Sequence, residues 1–303
     1  MKNNTVLIVG SVAFDSIKTN KTEVKKVTGG AASYSSIAAS YFCTPKVVAV
    51  VGKDFTKKHM QPFIKHGVDL SLLEVKEGKT FAWGGVYDAD FKNATTTFTD
   101  LNVFESFNPV IPPQHKKTDA LFLANIAPEL QMSVLKQTKP SKFVACDTMN
   151  FWINNNKPAL LKLLKHIDIL FVNEAESRQL TGIYNLIKAG RAILKCGPKV
   201  VVIKLGPNGA LLVTKEALCQ IPPYLLEDIT DTTGAGDSFG GGFTGYLSSV
   251  KDWSEISNIK RAMAVGTVMA SFAIESFSIN KLAQATKEDV NKRLKSYIES
   301  TKI

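Results

Sequence analysis

One stretch in the last third of the chain combines closely spaced glycines with carboxylates. Asp231 to Phe243 reads D-T-T-G-A-G-D-S-F-G-G-G-F. Gly234 and Gly236 allow a tight turn whose N–H groups point one way, and a helix is predicted to begin there. Such a helix start binds anions, most strongly where negative charge develops during a reaction. Because a carboxylate would repel a resting anion, Asp237 is better suited to accept the proton of a hydroxyl that attacks a phosphoryl group.

A purely structural interpretation of this stretch remains open. In it, Asp237 caps the first turn of a helix that follows a glycine-rich turn.

Gly240–Gly242 would each destabilise a helix by roughly 1 kcal/mol relative to alanine. Close approach of another backbone or of a nucleotide must therefore require these three glycines.

The elements that would hold these residues follow a repeating pattern. Continuous, β-branched apolar runs alternate with helical patterns, as in a parallel sheet that is covered on both faces. The pattern predicts a doubly wound, mostly parallel α/β fold with right-handed crossovers. Predicted strands are Val6–Val9, Val47–Val51, Leu121–Ala124, Phe143–Cys146, Ile169–Val172 and Val200–Leu205. Predicted helices are Ala31–Phe42, Thr56–His66, Pro128–Lys136, Pro158–His166, Glu174–Thr181, Leu186–Lys195, Gly236–Val250, Trp253–Ser276 and Thr286–Ser300.

One aromatic and threonine-rich segment, Thr80–Phe107, breaks this pattern and predicts a β-hairpin. Its turn would lie at residues 88–93, where the D-x-D of Asp88 and Asp90 is more typical of a turn than of a metal site. A hairpin has no place in the parallel sheet. We therefore expect a small projecting sheet, formed with Phe14–Val27, that covers a site as a lid. The lid segments are about 14–27 and 79–107.

Composition places the chain among ordinary globular proteins, with 303 residues, 45% of them hydrophobic and 21% charged. Without a linker or an internal repeat, residues 1–303 are predicted to form a single domain with a lid. The four scattered cysteines favour free thiols in a reducing compartment. No apolar run is long enough to be a signal peptide or to cross a bilayer, so a cytoplasmic protein without a membrane partner is expected.

The formal net charge of +10 is compatible with a nucleic-acid binder or with an enzyme that acts on anions. Lysines are spread along the whole chain, and no basic run contains interleaved aromatic residues. This dispersion favours a basic surface that steers anions such as ATP, and it argues against a nucleic-acid partner.

The motifs together resemble a known family. D-T-T-G-A-G-D, Asp231 to Asp237, matches at every position the second signature of the ribokinase-like PfkB family of sugar and nucleoside kinases. The resemblance implies a ribokinase-like fold and transfer of the ATP γ-phosphoryl group, with Mg²⁺, to a hydroxyl of a small sugar, polyol or nucleoside. It also implies that Asp237 is the base and that the turn Gly234, Ala235 and Gly236 stabilises the developing charge. A homodimer that meets through the lid is a further expectation from the family.

The resemblance implies an acceptor side near the amino terminus. Gly10–Asp15, G-S-V-A-F-D, is similar to the family opening in which the aspartate binds acceptor hydroxyls. Gly29 and Gly30 resemble the di-glycine of the first signature, which lets substrate approach the backbone. Polar residues that follow predicted strands add candidates, because open α/β sheets bind ligands at strand ends. The acceptor candidates are Asp15, Gly29, Gly30, Tyr34, Asn102 and Asn125, with the run 147–152 beside them.

The resemblance also implies a nucleotide side. Asn173 to Glu176 matches the family's N-x-x-E motif, which is linked to magnesium and phosphate placement, with Glu176 acting on the metal through water. Asp231 and Thr233 are candidate ligands for a potassium ion. The nucleotide candidates are Asn173, Glu176, Lys204, Gly206, Gly209, Thr232, Ala264 and Gly266. Helix capping by Asn173 and a plain turn at Gly206–Gly209 are the structural alternatives.

The acceptor side departs from ribokinase itself. Ala13, Ala31 and Tyr34 occupy positions where ribokinases have asparagine, lysine and asparagine, so the pocket is less polar than a ribose pocket. No arginine lies near the acceptor candidates, which argues against a phosphorylated acceptor.

Two alternative functions account for parts of the sequence. A non-catalytic sensor of the same fold would bind a nucleotide or sugar without turnover, but the presence of Asp237 speaks against it. An oxidoreductase is disfavoured because the G-x-G-x-x-G at 240–245 follows no predicted strand.

Overall fold

The computed structural model describes residues 4–20, 22–88 and 94–302. Its strands fall into a large and a small sheet, and most of the large-sheet strands are runs of valine, isoleucine and leucine. In chain order the strands are β1 Thr5–Val9, β2 Ala13–Lys18, β3 Glu23–Gly29, β4 Thr44–Gly52, β5 Asp69–Lys76, β6 Ala82–Tyr87, β7 Ala94–Asp100, β8 Lys117–Leu123, β9 Lys139–Asp147, β10 Ile169–Asn173, β11 Val200–Lys204, β12 Ala210–Thr214 and β13 Leu218–Ile221.

Helices connect most strands of the large sheet. Several begin with a side-chain cap on the free N–H groups of the first turn, as Thr286 does for the last helix. In chain order the helices are α1 Ala31–Ser40, α2 Lys57–Lys65, α3 Pro128–Gln137, α4 Asn150–Asn155, α5 Lys157–Leu164, α6 Glu174–Thr181, α7 Leu186–Leu194, α8 Ala235–Ser249, α9 Ile256–Ala273, α10 Asn280–Gln284 and α11 Lys287–Ser300.

The large sheet has the strand order β13-β12-β11-β10-β9-β8-β1-β4-β5. The seven strands β11, β10, β9, β8, β1, β4 and β5 are parallel to one another, and β12 and β13 are added antiparallel beside β11. The prediction of a doubly wound, mostly parallel sheet is confirmed. From β1 the strand order runs to one side through β4 and β5 and to the other side through β8 to β11. Because β1, β8, β9, β10 and β11 are parallel, their carboxyl ends lie at one edge of the sheet.

Two apolar cores lie on opposite faces of this sheet, because successive strand residues point to opposite sides. Along β1, Val6 and Ile8 join the core beneath α1, α8 and α9. Leu7 and Val9 join the second core, beneath α3, α5, α6 and α7. The covering of both faces explains why these strands are apolar throughout.

The small sheet has the order β3-β2-β6-β7. Its neighbours are antiparallel except for β2 and β6, which are parallel. The predicted hairpin and its partnership with the 14–27 segment are confirmed. The hairpin is shorter than predicted, since its strands end at Asp100 and residues 102–106 form a 3₁₀ helix. Residues 89–93 of the expected turn, including Asp90 of the D-x-D, lie outside the described residues.

Other differences concern elements that were not predicted and the bounds of one helix. The strands β5, β12 and β13 and the short helices α4 and α10 were not predicted, and α9 begins at Ile256 rather than at Trp253. Among the described residues no helix combines the length and apolar character needed to span a membrane. Within the described residues none of the four cysteines forms a disulfide bond, and Cys43 and Cys146 are buried.

Candidate active site

The glycine-rich stretch forms the start of α8. Gly234 caps this helix in the left-handed conformation, with φ at 75°, and a side chain there would overlap the ring of Tyr34. The Ala235 N–H donates to the carbonyl oxygen of Thr232 at 3.2 Å. Asp237 stands third in the helix, where the N–H groups of a first turn have no i−4 partner.

The glycines inside α8 serve helix packing. A side chain at Gly241 would overlap the backbone of Ser35 in α1, and one at Gly240 would come within 2.7 Å of the Phe122 ring. The Ser35 hydroxyl donates to the backbone carbonyl of Asp237 at 3.1 Å. Of the two demands predicted for these glycines, close approach of another backbone is confirmed at Gly241. It fixes α1 against the amino-terminal end of α8.

The Asp237 carboxyl has a raised affinity for protons. Its pKa is raised to about 7 by burial and by the charge of Asp147, while Lys204 opposes the rise. A base whose pKa lies near the working pH is well suited to proton transfer.

Lys204 and Asp147 form a buried ion pair next to this helix start. The Lys204 Nζ lies 2.8 Å and 3.0 Å from the two oxygens of Asp147, and Asp147 is only 3% exposed. Burial lowers the pKa of Lys204, but the carboxylates of Asp147 and Glu176 outweigh that effect, so Lys204 stays charged. A Cβ atom built on Gly236 would lie 3.0 Å from the Lys204 Nζ. A positive charge is therefore held against the turn that was predicted to bind phosphate.

The N-x-x-E motif opens α6 as a capping box. The Asn173 side chain accepts from the Glu176 N–H at 2.8 Å, and the Glu176 carboxylate accepts from the Asn173 N–H at 2.7 Å. Burial raises the pKa of Glu176 to about 7, although Lys204 opposes the rise. The capping predicted as the structural alternative is present, and the same carboxylate lies within the charged group around Lys204.

The acceptor candidates of the amino-terminal segment lie together. Asp15 in β2 is 4% exposed and packs on Gly29, where any side chain would overlap its carboxylate. The Gly30 N–H donates to that carboxylate. Burial, together with the charges of Asp231 and Asp237, raises the pKa of Asp15 to about 7. Asp15 is thus close enough to the α8 turn to interact with it electrostatically.

The small sheet reaches the same turn through a residue that the sequence did not single out. The Tyr87 hydroxyl, at the end of β6, lies 2.9 Å from the Thr233 hydroxyl. Burial raises the pKa of Tyr87 to about 12. Tyr87 was part of the predicted lid, but only the folded chain shows which lid residue meets the α8 turn.

Unpartnered polar atoms are concentrated in this region. Buried polar groups are normally hydrogen-bonded, so groups without partners indicate where a ligand could supply them. In the described part of the chain, buried side-chain atoms without a partner are Tyr34 Oη, Gln131 Oε1, Thr148 Oγ1, Asp231 Oδ2 and Ser238 Oγ. All five residues belong to, adjoin or contact the elements described above. Gln131 was missed by the sequence analysis, and its amide group donates to the backbone at the ends of β8 and β9.

Other candidates have structural partners. Asn102 donates to the carbonyl oxygens of Thr80 and Asp100 at the base of the small sheet, and Asn125 accepts from the Trp152 indole at 3.0 Å. Their contact with an acceptor stays a prediction.

The remaining nucleotide candidates differ in exposure. Gly266 packs on Phe239 between α8 and α9, and its neighbour Ala264 is buried, so packing accounts for both and their contact with adenine stays a prediction. Gly209, with φ at 86°, has no room for a side chain, because a Cβ atom there would overlap the carbonyl oxygen of Ile221. Gly206, with φ at 56°, faces open space and leaves room for a ligand.

Comparison with known proteins identifies the family. Residues 3–284 match the model of the pfkB family carbohydrate kinases. This chain belongs to that family. It is a sugar or nucleoside kinase of the ribokinase fold, as its motifs predicted.

Individual relatives agree with this assignment. The cytidine kinase of Thermococcus kodakarensis is 28% identical over 249 residues, which cover 80% of this chain and 88% of the relative. Among solved structures, the nucleoside kinase of Burkholderia thailandensis in complex with ADP and inosine superposes with a TM-score of 0.80 at 15% identity, covering 97% and 96% of the two chains. A fructokinase double mutant from Vibrio cholerae, bound to fructose, ADP and potassium, gives a TM-score of 0.77 at 20% identity, covering 98% of each chain.

Proposed function

We propose that this kinase transfers the γ-phosphoryl group of ATP to a hydroxyl of a small sugar, polyol or nucleoside, with Asp237 as the base. The observation that carries this proposal is that Asp237, at the start of α8, acts electrostatically on two groups. The positive charge of Lys204 lies against the neighbouring Gly236 and lowers the pKa of Asp237. The pKa of Asp15, raised chiefly by burial, also responds to the charge of Asp237. A hydroxyl held by Asp15 would meet both a base and an anion site.

In this mechanism the acceptor hydroxyl loses its proton to Asp237 as its oxygen attacks the γ-phosphorus in line. The turn Gly234–Gly236 and the charge of Lys204 stabilise the negative charge that develops on the transferred group. Preorganised groups of this kind need no rearrangement during the reaction, because α1 and Asp147 already hold them in place.

The side chains present fit a magnesium ion that is bound largely through water. The described residues contain no group of three histidine, cysteine, aspartate or glutamate side chains that could hold a metal directly. Mg²⁺ commonly uses one or two carboxylates together with water and substrate phosphates. Glu176, placed by Asn173, would hold such an ion, which would neutralise phosphate charge.

A potassium ion fits the Asp231 side of the turn. One oxygen of Asp231 accepts from the Thr233 N–H at 2.9 Å, and the other is buried without a partner in the described structure. The fructokinase of similar fold contains potassium. Asp231 and Thr233 are therefore our candidate ligands for a monovalent cation.

The small sheet acts as a lid in this proposal. Its strand β6 contacts the α8 turn through Tyr87, so a closed lid would cover the acceptor and exclude water. Exclusion of water would limit the hydrolysis of ATP in competition with transfer.

The test is the replacement of Asp237 by asparagine. Turnover with Mg-ATP and an acceptor is expected to fall by about 10²–10⁴-fold, because the base is lost, while nucleotide binding measured by calorimetry remains. Asp289→Asn is the matched control, since Asp289 is also the third residue of its helix but caps α11 far from the site. Near-normal turnover in Asp237→Asn would exclude this base.

The sensor alternative is tested by the same assays on the unmodified chain. ADP release and thermal shift are measured with sugars, polyols and nucleosides. Stabilisation by a ligand without ADP release from any acceptor would favour a sensor over a kinase.

A further inference from the structure

A cavity of about 310 Å³ lies at the carboxyl-terminal ends of α1 and α8, beside α9 and the start of α11. The candidate active site is formed by the amino-terminal ends of the same two helices. Tyr246, which lines the cavity, follows Asp237 in α8 by about 14 Å of helix at roughly 1.5 Å per residue. The cavity is therefore separate from that site. Its volume lies at the lower end of the range of small-molecule clefts, roughly 300–1,000 Å³.

Four residues whose side chains carry hydrogen-bond donors line this cavity. Arg261 lies on α9, Lys287 and Asn291 lie on α11, and Tyr246 lies in the last part of α8. Within the described residues, none of these four side chains has an ion pair or a hydrogen bond. Burial raises the pKa of Tyr246, and the charge of Arg261 opposes the rise, so the guanidinium is close to the phenol. Several free donors thus share one cavity.

A second arginine in the contact between α9 and α11 has the partners that Arg261 lacks. Arg293 donates to the Glu275 carboxylate at 2.6 Å and to the Ser271 hydroxyl at 3.0 Å. Its guanidinium also lies 3.6 Å from the centre of the Phe272 ring. No carboxylate of the described structure pairs with Arg261, so the acceptor for its donors has to come from water or from a ligand.

The carboxylate that acts on this cavity is already engaged. The charge of Asp289 adds to the effect of burial in raising the pKa of Tyr41, a lining residue. Asp289 accepts from the N–H and the hydroxyl of Thr286 at 2.9 Å and 2.7 Å, as part of the capping box of α11. The amino terminus of α11 adds a positive partial charge to the region. The balance of charge therefore favours an anion.

The apolar part of the cavity suits a flat ring. The rings of Phe42 and Tyr246 meet edge to face, with centres 6.3 Å apart and an angle of 85°. Val290 and Leu294 add the buried apolar side of α11. Aromatic and branched aliphatic side chains bury a planar ring favourably. Charged donors beside an apolar wall fit a ring that carries an anionic group.

We propose that this cavity binds a small phosphate monoester that carries a planar ring, with its phosphate held by Arg261 and Lys287. Two cations match the double charge of a phosphate monoester, and a guanidinium binds phosphate through paired hydrogen bonds. The Tyr246 hydroxyl and the Asn291 amide donate to the remaining oxygens, and the ring lies against Phe42. This site does not depend on the proposed kinase function, because none of these residues belongs to the candidate active site.

The first experiment locates binding by titration of the full, isotopically labelled chain with cytidine monophosphate, followed by amide NMR signals. The signals of residues 246–249 and 287–294 are expected to shift in a saturable way, while those of residues 234–237 report separately on binding at the candidate active site. Cytidine, without the phosphate, and ribose 5-phosphate, without the base, should bind at least tenfold more weakly at the cavity. No saturable shift of the cavity signals, or equal affinity for either fragment, would overturn the inference.

The second experiment removes one cation. Arg261→Gln should weaken binding of cytidine monophosphate at the cavity signals by roughly tenfold or more, as for loss of a charged hydrogen bond. Its melting temperature and ADP release should not change, because Arg261 is exposed and unpaired in the described structure. Tyr246→Phe, which removes one hydroxyl, should weaken binding by a smaller factor. Arg191→Gln is the matched control, since Arg191 is exposed on α7 outside the cavity. Undiminished binding in Arg261→Gln, or equal weakening in Arg191→Gln, would rule out this phosphate site.

Discussion

The Lys204 and Asp147 side chains, at the carboxyl ends of β11 and β9, form an ion pair within the candidate active site. The Lys204 side chain is 17% exposed and that of Asp147 4%. A second lysine–aspartate pair, Lys199 with Asp168, has the same 2.8 Å separation, but its lysine is 70% exposed. Exposed pairs contribute about 0–1 kcal/mol, whereas removal of one partner from a buried pair costs about 3–5 kcal/mol. The two pairs form a natural comparison within one chain.

Substitution of Lys204 by methionine should change the pH dependence of catalysis. Because Asp237 must be ionised to accept a proton, kcat is expected to rise with pH through about 7, the raised pKa of Asp237. Lys204 lowers the pKa of Asp237, so its loss should move this inflection to higher pH and reduce the maximal rate. A pH–rate profile from 5.5 to 9 measures both effects, and urea unfolding measures the accompanying loss of stability.

Lys199→Met supplies the control, with an expected profile like that of the unmodified enzyme. A profile in Lys204→Met that keeps the original inflection would show that Lys204 does not set the proton affinity of the base.

At the level of single residues, the sequence identified groups that belong to short local patterns. Asp237, Asp15 and the di-glycine each lie within a recognisable motif, and the structure brings them together. The partners of Lys204 and Tyr87 were not predictable in this way. Asp147 is 57 residues from Lys204, and Thr233 is 146 residues from Tyr87. Only the strand order makes these pairs neighbours.

At the level of elements, α1 and α8 pack closely enough to act as one support. Gly245 continues the contact that Gly241 makes with α1, since a side chain there would come within 2.8 Å of the Ala39 Cα. The proposed acceptor residues at the start of α1 and the proposed base at the start of α8 are thereby held at a fixed separation. Catalytic groups lose efficiency when such distances vary.

The small sheet is attached to the large sheet at a defined point. The Thr80 hydroxyl and N–H donate to the Asp54 carboxylate at 2.6 Å and 2.8 Å, and the Gly52 N–H donates to the Thr80 hydroxyl. At its far end the Tyr87 hydroxyl lies 2.9 Å from the Thr233 hydroxyl beside the α8 turn and also hydrogen-bonds Thr232. The sheet is therefore anchored to the large sheet at one end and contacts the α8 turn through the Tyr87 hydroxyl at the other.

Tyr87→Phe should weaken closure of the lid. The substitution removes the hydrogen bonds of this hydroxyl to Thr233 and Thr232, each worth about 0.5–1.5 kcal/mol, so the closed fraction should fall by about tenfold or more. We expect a lower kcat and a larger share of ADP released without phosphorylated product, because water enters. The ratio of ADP to phosphorylated acceptor measures this leak. Tyr184→Phe, at an 80% exposed tyrosine, is the control. An equal ratio in both variants would contradict a role of the Tyr87 hydroxyl in holding the lid closed.

The sequence predicted the elements that are apolar throughout better than those at sheet edges. β1, β4 and β8–β11 are covered on both faces, so their composition alone identifies them. β5 lies at an edge and alternates polar with apolar residues, and β13 is short and half-exposed. β12 follows a turn of two left-handed glycines, whose geometry reverses the chain in a way that composition does not reveal.

At the level of the whole molecule, the small sheet leaves a strand uncovered. β7 is an edge strand, and its residues from Thr95 to Asp100 are all exposed. Long exposed edges tend to be covered in native proteins. This supports the expectation, drawn from the family resemblance, that two copies of the chain meet through their lids.

Sedimentation velocity tests this proposal. The unmodified chain is expected to sediment as a dimer, and Phe98→Lys, at a 38% exposed residue of β7, should shift it towards the monomer. Leu225→Lys, at an 85% exposed residue outside the lid, should leave the dimer unchanged. If the unmodified chain sediments as a monomer, the expected dimer through the lids is wrong.

The contact between α1 and α8 also bears on how the enzyme is made in the cell. The hydrogen bond from Ser35 to Asp237 joins residues 202 positions apart. At about 5–20 residues per second, a ribosome needs roughly 10–40 s to synthesise that interval. During this time the small-residue face of α1 and the proposed acceptor half of the site lack α8, the helix that packs against them. A nascent chain therefore passes through a long period in which it can engage a chaperone or a protease but cannot yet bind and turn over its substrates.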